Sequence, residues 1–408
     1  MDNLSIALNW LANHMLFGID HAQETRSVDH LIAELLTLAR KHFGMDVAFV
    51  SEFKDGQRVF RFVDAQEGDD LIQVNGSDPL EESYCQRIVD GRLPELLQDA
   101  TRNPEAITLP ATLAVPIGAH LSVPIQFSTG RVYGTFCCFS RSPDLSLGNR
   151  DVATMRFFAE IVAKVLENQQ SQHAARQAMV DRFQEMLDKR QYSTVFQPIC
   201  DISENRVMGF EALSRFQSDP YRPPNEWFDD ATQVGLLQEL ECAMRRDALE
   251  QLPALPPDTY LSLNVTPLTV LDPHFADSLR AYPLKRLVLE ITEHDCVEDY
   301  EMIAQALAPL REKGIRLAVD DAGAGYASFR HILKLKPDII KLDRSLIENI
   351  DSSSDQRTLA TALVQFSRAV GSQTLAEGVE TQEELSVLRD LGVKLAQGYL
   401  LGRPQALH

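Results

Sequence analysis

The sequence has little basic charge, and that deficit excludes several classes of partner. Its 408 residues contain 39 Lys and Arg against 59 Asp and Glu, a formal net charge of -20. Proteins that bind nucleic acid polymers or anionic membranes non-specifically need basic surface. We therefore expect neither kind of partner, although an anionic small molecule can still bind where metal ions reverse the local field.

Long hydrophobic runs and paired cysteines are missing as well. No apolar run approaches the roughly 20 residues that a transmembrane helix needs. The N-terminal segment has neither the basic region nor the small-residue cleavage site of a signal peptide. The six cysteines include no CxxC pair and no accompanying histidine spacing, which favours reduced thiols over disulfides or zinc sites. We therefore expect a cytoplasmic protein without membrane insertion.

The chain does have enough length and apolar content for two domains. With 408 residues, 44% of them hydrophobic, it exceeds an ordinary single domain. Residues from about 25 to 170 have the pattern helix, strand pair, irregular middle, strand pair, helix, which indicates an α+β domain. We place the first domain at 1–170, a helical linker at 171–190 and the second domain at 191–408.

The stretch from Asn149 to about Gln191 contains neither glycine nor proline. Apolar residues recur there at helical spacing, first over 152–166 and again over 179–187, with a polar segment between. This pattern predicts a coiled coil or a signalling helix between the domains, and the alternative is two helices with a flexible join. Because a long helix with an apolar stripe needs a partner to cover it, we expect a homodimer.

From Tyr192 to Pro404, strand-like and helix-like runs alternate, which predicts an α/β fold of the TIM-like (β/α)8-barrel type. The first two strands are joined only by residues 201–205. A parallel crossover takes a dozen or more residues, so these two strands should pair antiparallel. The expected barrel therefore has one antiparallel strand.

Polar side chains stand at the downstream ends of successive apolar runs in this second half. In a parallel barrel those ends open on one face, where active sites are built. Two carboxylates about 4 Å apart repel by roughly 4 kcal/mol at an effective dielectric constant of 20, which protonation or a divalent cation relieves. The polar residues at the downstream ends of the apolar runs are eight in number: Glu211, Asn264, Glu290, Asp320, Asp321, Lys341, Glu377 and Gln397.

The donor atoms of this ring are carboxylate and amide oxygens, which select Mg²⁺ or Mn²⁺ over zinc. Asp320 can bridge two ions while Asp321 holds the second. Two metals roughly 3.5–4 Å apart suit the hydrolysis of a phosphodiester. Lys341 lies in an apolar strand, where a lysine needs a partner, and it can orient the water or offset charge in the transition state.

Simpler structural explanations stay open from the sequence alone. The pair Asp320-Asp321 precedes Ala-Gly-Ala-Gly and can form a turn. Lys341 can be a structural ion-pair partner. Asn264 can cap the following helix, and Gln397 can be a turn amide.

The order of these motifs resembles the EAL-domain family of cyclic di-GMP phosphodiesterases, from about Tyr192 to Pro404. The resemblance implies a barrel with one antiparallel strand and hydrolysis of cyclic di-GMP to linear pGpG. The matching segments are FQPI at 196–199, EAL at 211–213 with Arg215, LNVTP at 263–267, EITE at 290–293, DDAGAG at 320–325, KLDRSLI at 341–347, EGVET at 377–381 and AQGYLLGRP at 396–404.

The resemblance also implies roles for individual residues. It assigns two divalent ions, Mg²⁺ or Mn²⁺, to Glu211, Asn264, Glu290, Asp320 and Asp321. It implies catalytic roles for Glu211, Asp321, Lys341 and Glu377, of which Lys341 and Glu377 position or activate the water. The implied substrate contacts are Gln197, Leu213, Arg215 and Gln397, and Glu293 is implied to anchor the loop after the paired aspartates.

One motif departs from the family pattern. The loop usually reads Asp-Asp-Phe-Gly-Thr-Gly, and here Ala322 replaces the aromatic residue and Ala324 the hydroxyl. In the family this loop links the second metal to the dimer interface, so the replacements should loosen it. We expect them to alter the magnitude and regulation of activity rather than its existence, and a Phe at position 322 to raise activity or dimer dependence.

The first domain is similar to GAF domains over residues 120–167. GAF domains bind cyclic nucleotides, bilins, haem or small metabolites, or act in dimerisation, so the ligand stays unassigned. Cys137 and Cys138 follow each other on one strand, so one should face the core and the other outward. They are ordinary strand residues or have a redox or ligand role.

Three functions fit the sequence. The leading hypothesis is an active, metal-dependent cyclic di-GMP phosphodiesterase that its GAF domain regulates. The alternative is a catalytically weak or inactive EAL domain that acts as a cyclic di-GMP receptor, and a third is a phosphodiesterase for another nucleotide. The complete set of metal-ligand positions favours the enzyme.

Overall fold

A computed structural model describes residues 21–66, 71–291, 299–322 and 327–407. The chain divides into two compact units, with the boundary between Ala175 and Arg176. Each unit has its own core. Within the described ranges, no helix combines the length and the hydropathy that a bilayer crossing requires.

The first unit is built on a six-stranded antiparallel sheet, with β1 and β6 at its centre. The turn between β1 and β2 is Asp55-Gly56, and both residues adopt positive φ, as a tight hairpin requires. The strands are β1 (Val47–Lys54), β2 (Gln57–Ala65), β3 (Ser77–Pro79), β4 (Leu96–Leu97), β5 (Ala119–Gln126) and β6 (Val132–Ser140), and their order in the sheet is β3-β2-β1-β6-β5-β4.

Both faces of this sheet are buried. Helix α1 (His21–His42) and the first half of α4 (Asn149–Asp188) cover one face, and α2 (Tyr84–Val89) and the segments around α3 (Pro110–Ala114) cover the other. Cys138 packs into the first core and Cys137 into the second. The predicted alternation of the two cysteines is therefore correct, but neither side chain is exposed, because each face has its own core.

Helix α4 runs without interruption over forty residues. Its apolar residues near Phe158 pack in the core of the first unit, and Phe183 and Met186 pack in the second. The intervening residues 171–178 are exposed. The predicted apolar stripe is thus covered within the chain, so it does not by itself require a second copy.

The second unit is a closed eight-stranded barrel in which β7 is antiparallel to both of its neighbours and all other pairs are parallel. The predicted reversed strand is confirmed. The four residues between β7 and β8 close an Asx turn, because the Asp201 carboxylate accepts from the amides of Ser203 and Glu204. The strands are β7 (Tyr192–Asp201), β8 (Arg206–Phe216), β9 (Tyr260–Asn264), β10 (Leu287–Ile291), β11 (Arg316–Ala322), β12 (Ile339–Leu342), β13 (Gln373–Ala376) and β14 (Leu395–Ala396).

Helices connect most of the parallel strands and have amphipathic sequences with their apolar sides buried. Several begin at side-chain caps, as in the capping box of Thr381 and Glu384. The helices are α5 (Pro224–Val234), α6 (Leu237–Glu250), α7 (Pro267–Val270), α8 (Phe275–Leu279), α9 (Tyr300–Arg311), α10 (Ala327–Leu335), α11 (Arg344–Ile347), α12 (Ser354–Ala369) and α13 (Gln382–Leu391).

The barrel contains an apolar layer that supports the polar residues above it. Gly209 takes the corresponding position on β8, where a Cβ atom would lie 2.6 Å from the Tyr260 ring. On the seven parallel strands a polar residue follows this layer two positions later, whereas on reversed β7 Gln197 precedes Ile199. The layer consists of Ile199, Tyr260, Val288, Ala318, Ile339, Leu375 and Leu395.

Ala322 ends β11 in a small apolar cluster. It is fully buried against Val319, Ile332 and Ile340, with Phe366 packed beside them. Apolar side chains therefore surround the position at which the family pattern has an aromatic residue, and we expect a larger side chain there to displace them.

We predict that Phe183→Ala destabilises the second unit by about 3–5 kcal/mol, because Phe183 is 1% exposed and meets the Trp227 ring edge-on at 5.4 Å. Urea unfolding followed by fluorescence in a Trp10→Phe background measures this core, since Trp227 is then the single tryptophan. The exposed neighbour Gln184→Ala serves as the control and should change stability by less than about 0.5 kcal/mol. Equal effects of the two substitutions would contradict the packing role of the helix.

For Ala322→Phe the packing of the cluster leads to a different prediction from the one that the sequence alone suggested. Overpacking a filled core costs about 1–3 kcal/mol, so we predict a lower melting temperature and no gain in turnover. Ala322→Val should have a smaller effect in the same direction. A Phe variant that is as stable as the parent and more active would show that this cluster opens without cost.

Candidate functional site

The polar residues predicted at the strand ends meet above the apolar layer of the barrel. Glu211 lies on β8, Glu290 on β10, Asp320 on β11 and Lys341 on β12, and all four side chains are buried. Asn264 ends β9, while Glu377 and Gln397 follow directly after β13 and β14. These residues come together because the parallel strands place them at one level of the barrel.

The ammonium group of Lys341 is the centre of the cluster. Its Nζ atom lies 2.7 Å from Glu377 Oε1, 2.8 Å from Glu290 Oε2, 3.0 Å from Asp320 Oδ2 and 3.7 Å from Glu211 Oε1. One lysine cannot neutralise four carboxylates, so the cluster has an excess of negative charge. Such an excess at a buried position requires protons or cations.

Burial and mutual repulsion shift the pKa values in this cluster. Burial raises the pKa of Glu290 to about 8, against the opposing charge of Lys341 and with further increases from Glu211 and Asp320. Burial also raises the pKa of Glu377 well above its usual value. For Lys341, burial lowers the pKa, but the four carboxylates outweigh it and hold the pKa well above the usual value. The lysine therefore stays charged.

Side-chain amides form a hydrogen-bond network that includes the carboxylate of Glu211. Gln397 Nε2 donates to Glu211 Oε2 at 2.6 Å and to Gln197 Oε1 at 3.0 Å, and Gln197 in turn donates to the carbonyl of Gly402. Asn264 Nδ2 donates to Glu211 Oε1 at 3.3 Å. The predicted roles of Gln397 as a turn amide and Asn264 as a helix cap do not describe these contacts, because both amides bind the Glu211 carboxylate.

Sequence reasoning missed Ser262, whose buried hydroxyl donates to Glu290 Oε1. The signal was available, since Ser262 lies two residues before Asn264 on β9 and alternate residues share a face. Arg344, Glu380 and Tyr399 were also missed. They line the cavity at the site, and no strand-end pattern marks them.

Two cavities open at this end of the barrel. The smaller, about 270 Å³, is lined by Glu211, Asp320, Glu377 and Gln397. The larger, about 740 Å³, is lined by Arg215 and Asn264, among others. Leu213 lines both. Arg215 therefore lies with the larger cavity, where its Nη1 atom donates to the carbonyl of Ser214 at 2.8 Å.

Some predicted residues cannot be placed. The backbone of Asp321 belongs to β11, and its side chain lies outside the described part of the structure. Glu293 and Ala324 also fall outside the described residues.

The chemistry of the cluster suits hard divalent cations. Carboxylate oxygens of Glu211, Glu290 and Asp320 lie within 4.8 Å of one another, and the amide of Asn264 adjoins Glu211. All of these donors are oxygens, which Mg²⁺ and Mn²⁺ prefer. The residues present therefore fit the metal centre that the sequence predicted.

Comparison with known proteins agrees with this geometry. The EAL-domain profile matches residues 180–404, and a GAF-domain profile matches residues 25–167. The chain is 31% identical over 234 residues to the probable cyclic di-GMP phosphodiesterase PdeN of Escherichia coli, an alignment that covers 54% of this chain and 45% of PdeN. The chain spans less than half the length of the curated relatives it matches.

Solved structures show the same architecture. The PaMucR phosphodiesterase, determined in complex with c-di-GMP, aligns with a TM-score of 0.51 at 27% identity and covers 56% of this chain and 97% of that one. The EAL enzyme Bd1971, bound to cAMP and cyclic di-GMP, covers 89% of this chain and 91% of its own at a TM-score of 0.56. At 16% identity, that second likeness concerns the fold alone. Because the EAL-domain profile matches more than half of its length, the chain belongs to the EAL-domain family, and it has a GAF domain ahead of its EAL domain.

Proposed function

We propose that the EAL barrel hydrolyses cyclic di-GMP to linear pGpG with two divalent cations. The observation that supports this most is the cluster of Glu211, Glu290 and Asp320 around Lys341, with carboxylate oxygens within 4.8 Å of one another. A receptor that only captures the nucleotide has no need of several buried carboxylates. The relatives named as cyclic di-GMP phosphodiesterases support the choice of substrate.

The first cation would be held by Glu211, Asn264, Glu290 and Asp320, and Asp320 with Asp321 would hold the second. Asn264 would bind the cation through Oδ1, the oxygen of the side-chain amide whose Nδ2 atom donates to Glu211. When bound, Mg²⁺ or Mn²⁺ would polarise the phosphate and lower the pKa of a water at the cluster. Protons that burial holds on carboxylates such as Glu290 would be released on binding.

The residues of the chain itself would position the substrate and the water. Lys341, kept charged by its carboxylate partners, would orient the attacking water and offset the growing negative charge on the phosphate. Glu377, 2.7 Å from Lys341 Nζ and on the wall of the smaller cavity, would take up the proton of the water.

Substrate would occupy both cavities. The smaller cavity would hold the scissile phosphodiester, since the carboxylates line it. The larger would take a guanine nucleoside through Arg215 and Leu213. Gln397 Oε1 is buried and has no hydrogen-bond partner among the described residues, so it can accept a hydrogen bond from the bound nucleotide.

A receptor function is the second candidate, and the departures at Ala322 and Ala324 favour it over a phosphodiesterase for another nucleotide. Tight binding of cyclic di-GMP without turnover would establish it. In either case we propose that the GAF domain regulates the barrel. We also propose that the protein is a homodimer, and sedimentation measurements of its mass in solution test this second proposal.

The direct test is incubation with cyclic di-GMP and Mn²⁺ or Mg²⁺, with chromatographic detection of pGpG. We predict turnover by the parent, and Glu211→Ala should lower it at least a hundredfold, because it removes a cation ligand that Gln397 and Asn264 hold in place. Glu204→Ala, an exposed carboxylate in the turn ahead of β8, should retain full activity. Folding is checked by circular dichroism. A Glu211→Ala variant that keeps most of its activity would refute the metal assignment, and a folded, cation-loaded parent without product would refute the phosphodiesterase.

Regulation by the GAF domain is tested by comparing the full chain with a fragment of residues 176–408. The fragment starts at Arg176 because Phe183 and Met186 are buried in the core of the second unit, and a fragment from residue 191 would lack them. We expect the two proteins to differ in kcat by threefold or more at the same KM. If the full chain and the fragment have the same kcat and KM, the result counts against regulation by the GAF domain.

A further inference from the structure

Two thiols in the GAF domain lie against each other beside a buried cation. Cys85 on α2 and Cys137 on β6 are both fully buried, and their Sγ atoms are 3.5 Å apart. Arg58 Nη1 donates to Cys85 Sγ at 3.4 Å. A disulfide bond is about 2.05 Å long, so the two residues are reduced here and lie about 1.5 Å beyond bonding distance.

We propose that Cys85 and Cys137 form a reversible two-electron redox pair, which a hydroperoxide converts into a disulfide within the GAF domain. The environment of the two thiols is unlike that of ordinary core cysteines. Three buried hydroxyl side chains surround them: Ser122 Oγ lies 2.9 Å and Thr135 Oγ1 3.1 Å from Cys137 Sγ, and Ser51 donates to Cys85.

The two thiols have different protonation states. Burial raises the pKa of Cys85, but the hydrogen bond from Cys137 and the charge of Arg58 outweigh it and lower the pKa to about 5. Burial and the neighbouring Cys85 raise the pKa of Cys137 well above its usual value. Cys85 is therefore the thiolate that attacks, and Cys137 is the thiol that resolves.

The surroundings argue against a metal site at these thiols. Among the described residues, three or more potential metal ligands come together at Glu211, Glu290 and Asp320. The two thiols are not part of that group. Cys138, next in sequence to Cys137, packs in the core on the other face of the sheet. Two thiols and a guanidinium suit thiol oxidation better than ligation of a cation.

A cavity in the first unit reaches Arg58, which contacts Cys85, while neither thiol is part of the lining of this cavity. The cavity has a volume of about 550 Å³ and is lined by Arg58, Tyr84 and Phe139. Arg58 touches Cys85, and Tyr84 precedes Cys85 in the sequence. This space is many times the roughly 30 Å³ share of one water molecule, so hydrogen peroxide fits easily.

The reaction balances in two steps. The Cys85 thiolate attacks one oxygen of hydrogen peroxide, the O–O bond breaks, and the leaving hydroxide becomes water with the proton of Cys137. The Cys137 thiolate then attacks the sulfenic sulfur of Cys85, the S–S bond forms, the S–O bond breaks, and the hydroxide leaves as water with a proton from solvent. The thiols lose two electrons and the peroxide gains them.

The disulfide would alter the cavity as well as the thiols. It removes the negative charge that Arg58 faces at Cys85 and leaves Asp78 as its ionic partner. Arg58 also stacks over the Phe60 ring at 4.7 Å. Oxidation therefore changes the charge on the wall of the cavity.

The test uses the reduced full chain, treated with hydrogen peroxide under native conditions and then with N-ethylmaleimide. Mass spectrometry should find a cross-linked peptide pair containing Cys85 and Cys137, which dithiothreitol converts back to free thiols. Cys200 and Cys242, which are partly exposed, should be alkylated. A folded protein in which Cys85 stays free, or in which it oxidises without joining Cys137, would overturn the proposal.

Two variants sharpen the test. Cys137→Ser should stop the reaction at a sulfenic acid on Cys85, which dimedone traps, whereas Cys138→Ser should leave the disulfide yield unchanged. Arg58→Gln should slow oxidation at neutral pH by about tenfold or more and reduce the thiolate absorbance near 240 nm, because the charge that stabilises the thiolate is gone. Unchanged thiolate absorbance and rate in a folded Arg58→Gln protein would contradict the pairing of Arg58 with Cys85.

Discussion

The polar end of the EAL barrel depends on the ion pairs between the buried ammonium group of Lys341 and the carboxylates around it. A lysine in an apolar strand is costly to bury unless it is paired. Here the pairing is excessive, since Glu290, Asp320 and Glu377 all lie within 3.0 Å of Nζ. Burial raises the pKa of Glu290 to about 8, which favours a proton on that carboxyl group and lessens the repulsion within the cluster. The same group of carboxylate oxygens has the donor chemistry that hard divalent cations prefer, and in general such ions replace protons when they bind to carboxylates.

The barrel can support such a cluster because an apolar layer lies directly beneath it. Each strand supplies one apolar and one polar residue at successive inward positions, two residues apart. The reversed strand β7 supplies them in the opposite order, so that Gln197 reaches the same level as Glu211. Gly209 leaves the room that the Tyr260 ring occupies. The polar residues therefore rest on a packed base, which limits their freedom to move apart.

The GAF domain solves a different packing problem. Its sheet is buried on both faces, so neighbouring residues of one strand enter two separate cores. Polar groups within such a core need local partners. Such partners are the hydroxyl groups around Cys137 and the guanidinium group beside Cys85. These groups also favour a thiolate. The reactivity that we propose for Cys85 follows from its hydrogen bond with the buried guanidinium group of Arg58.

The sequence by itself determined the barrel, its reversed strand and the identity of the carboxylates, because strand periodicity and a connection too short for a crossover are local properties. It identified Glu211, Glu290, Asp320 and Lys341 as polar residues that follow apolar runs, although Glu211 lies in the middle of β8 and not at its end. The quoted motifs supplied the resemblance to the family. It gave the wrong exposure for one of the two adjacent cysteines, since no local pattern shows that a second layer covers a sheet. The tertiary structure alone decided which groups touch: that Lys341 contacts Glu377, that Ser262 binds Glu290, and that Cys85 meets Cys137 from 52 residues away. Such contacts depend on how strands register and helices pack across the whole domain, and distance along the chain does not encode them.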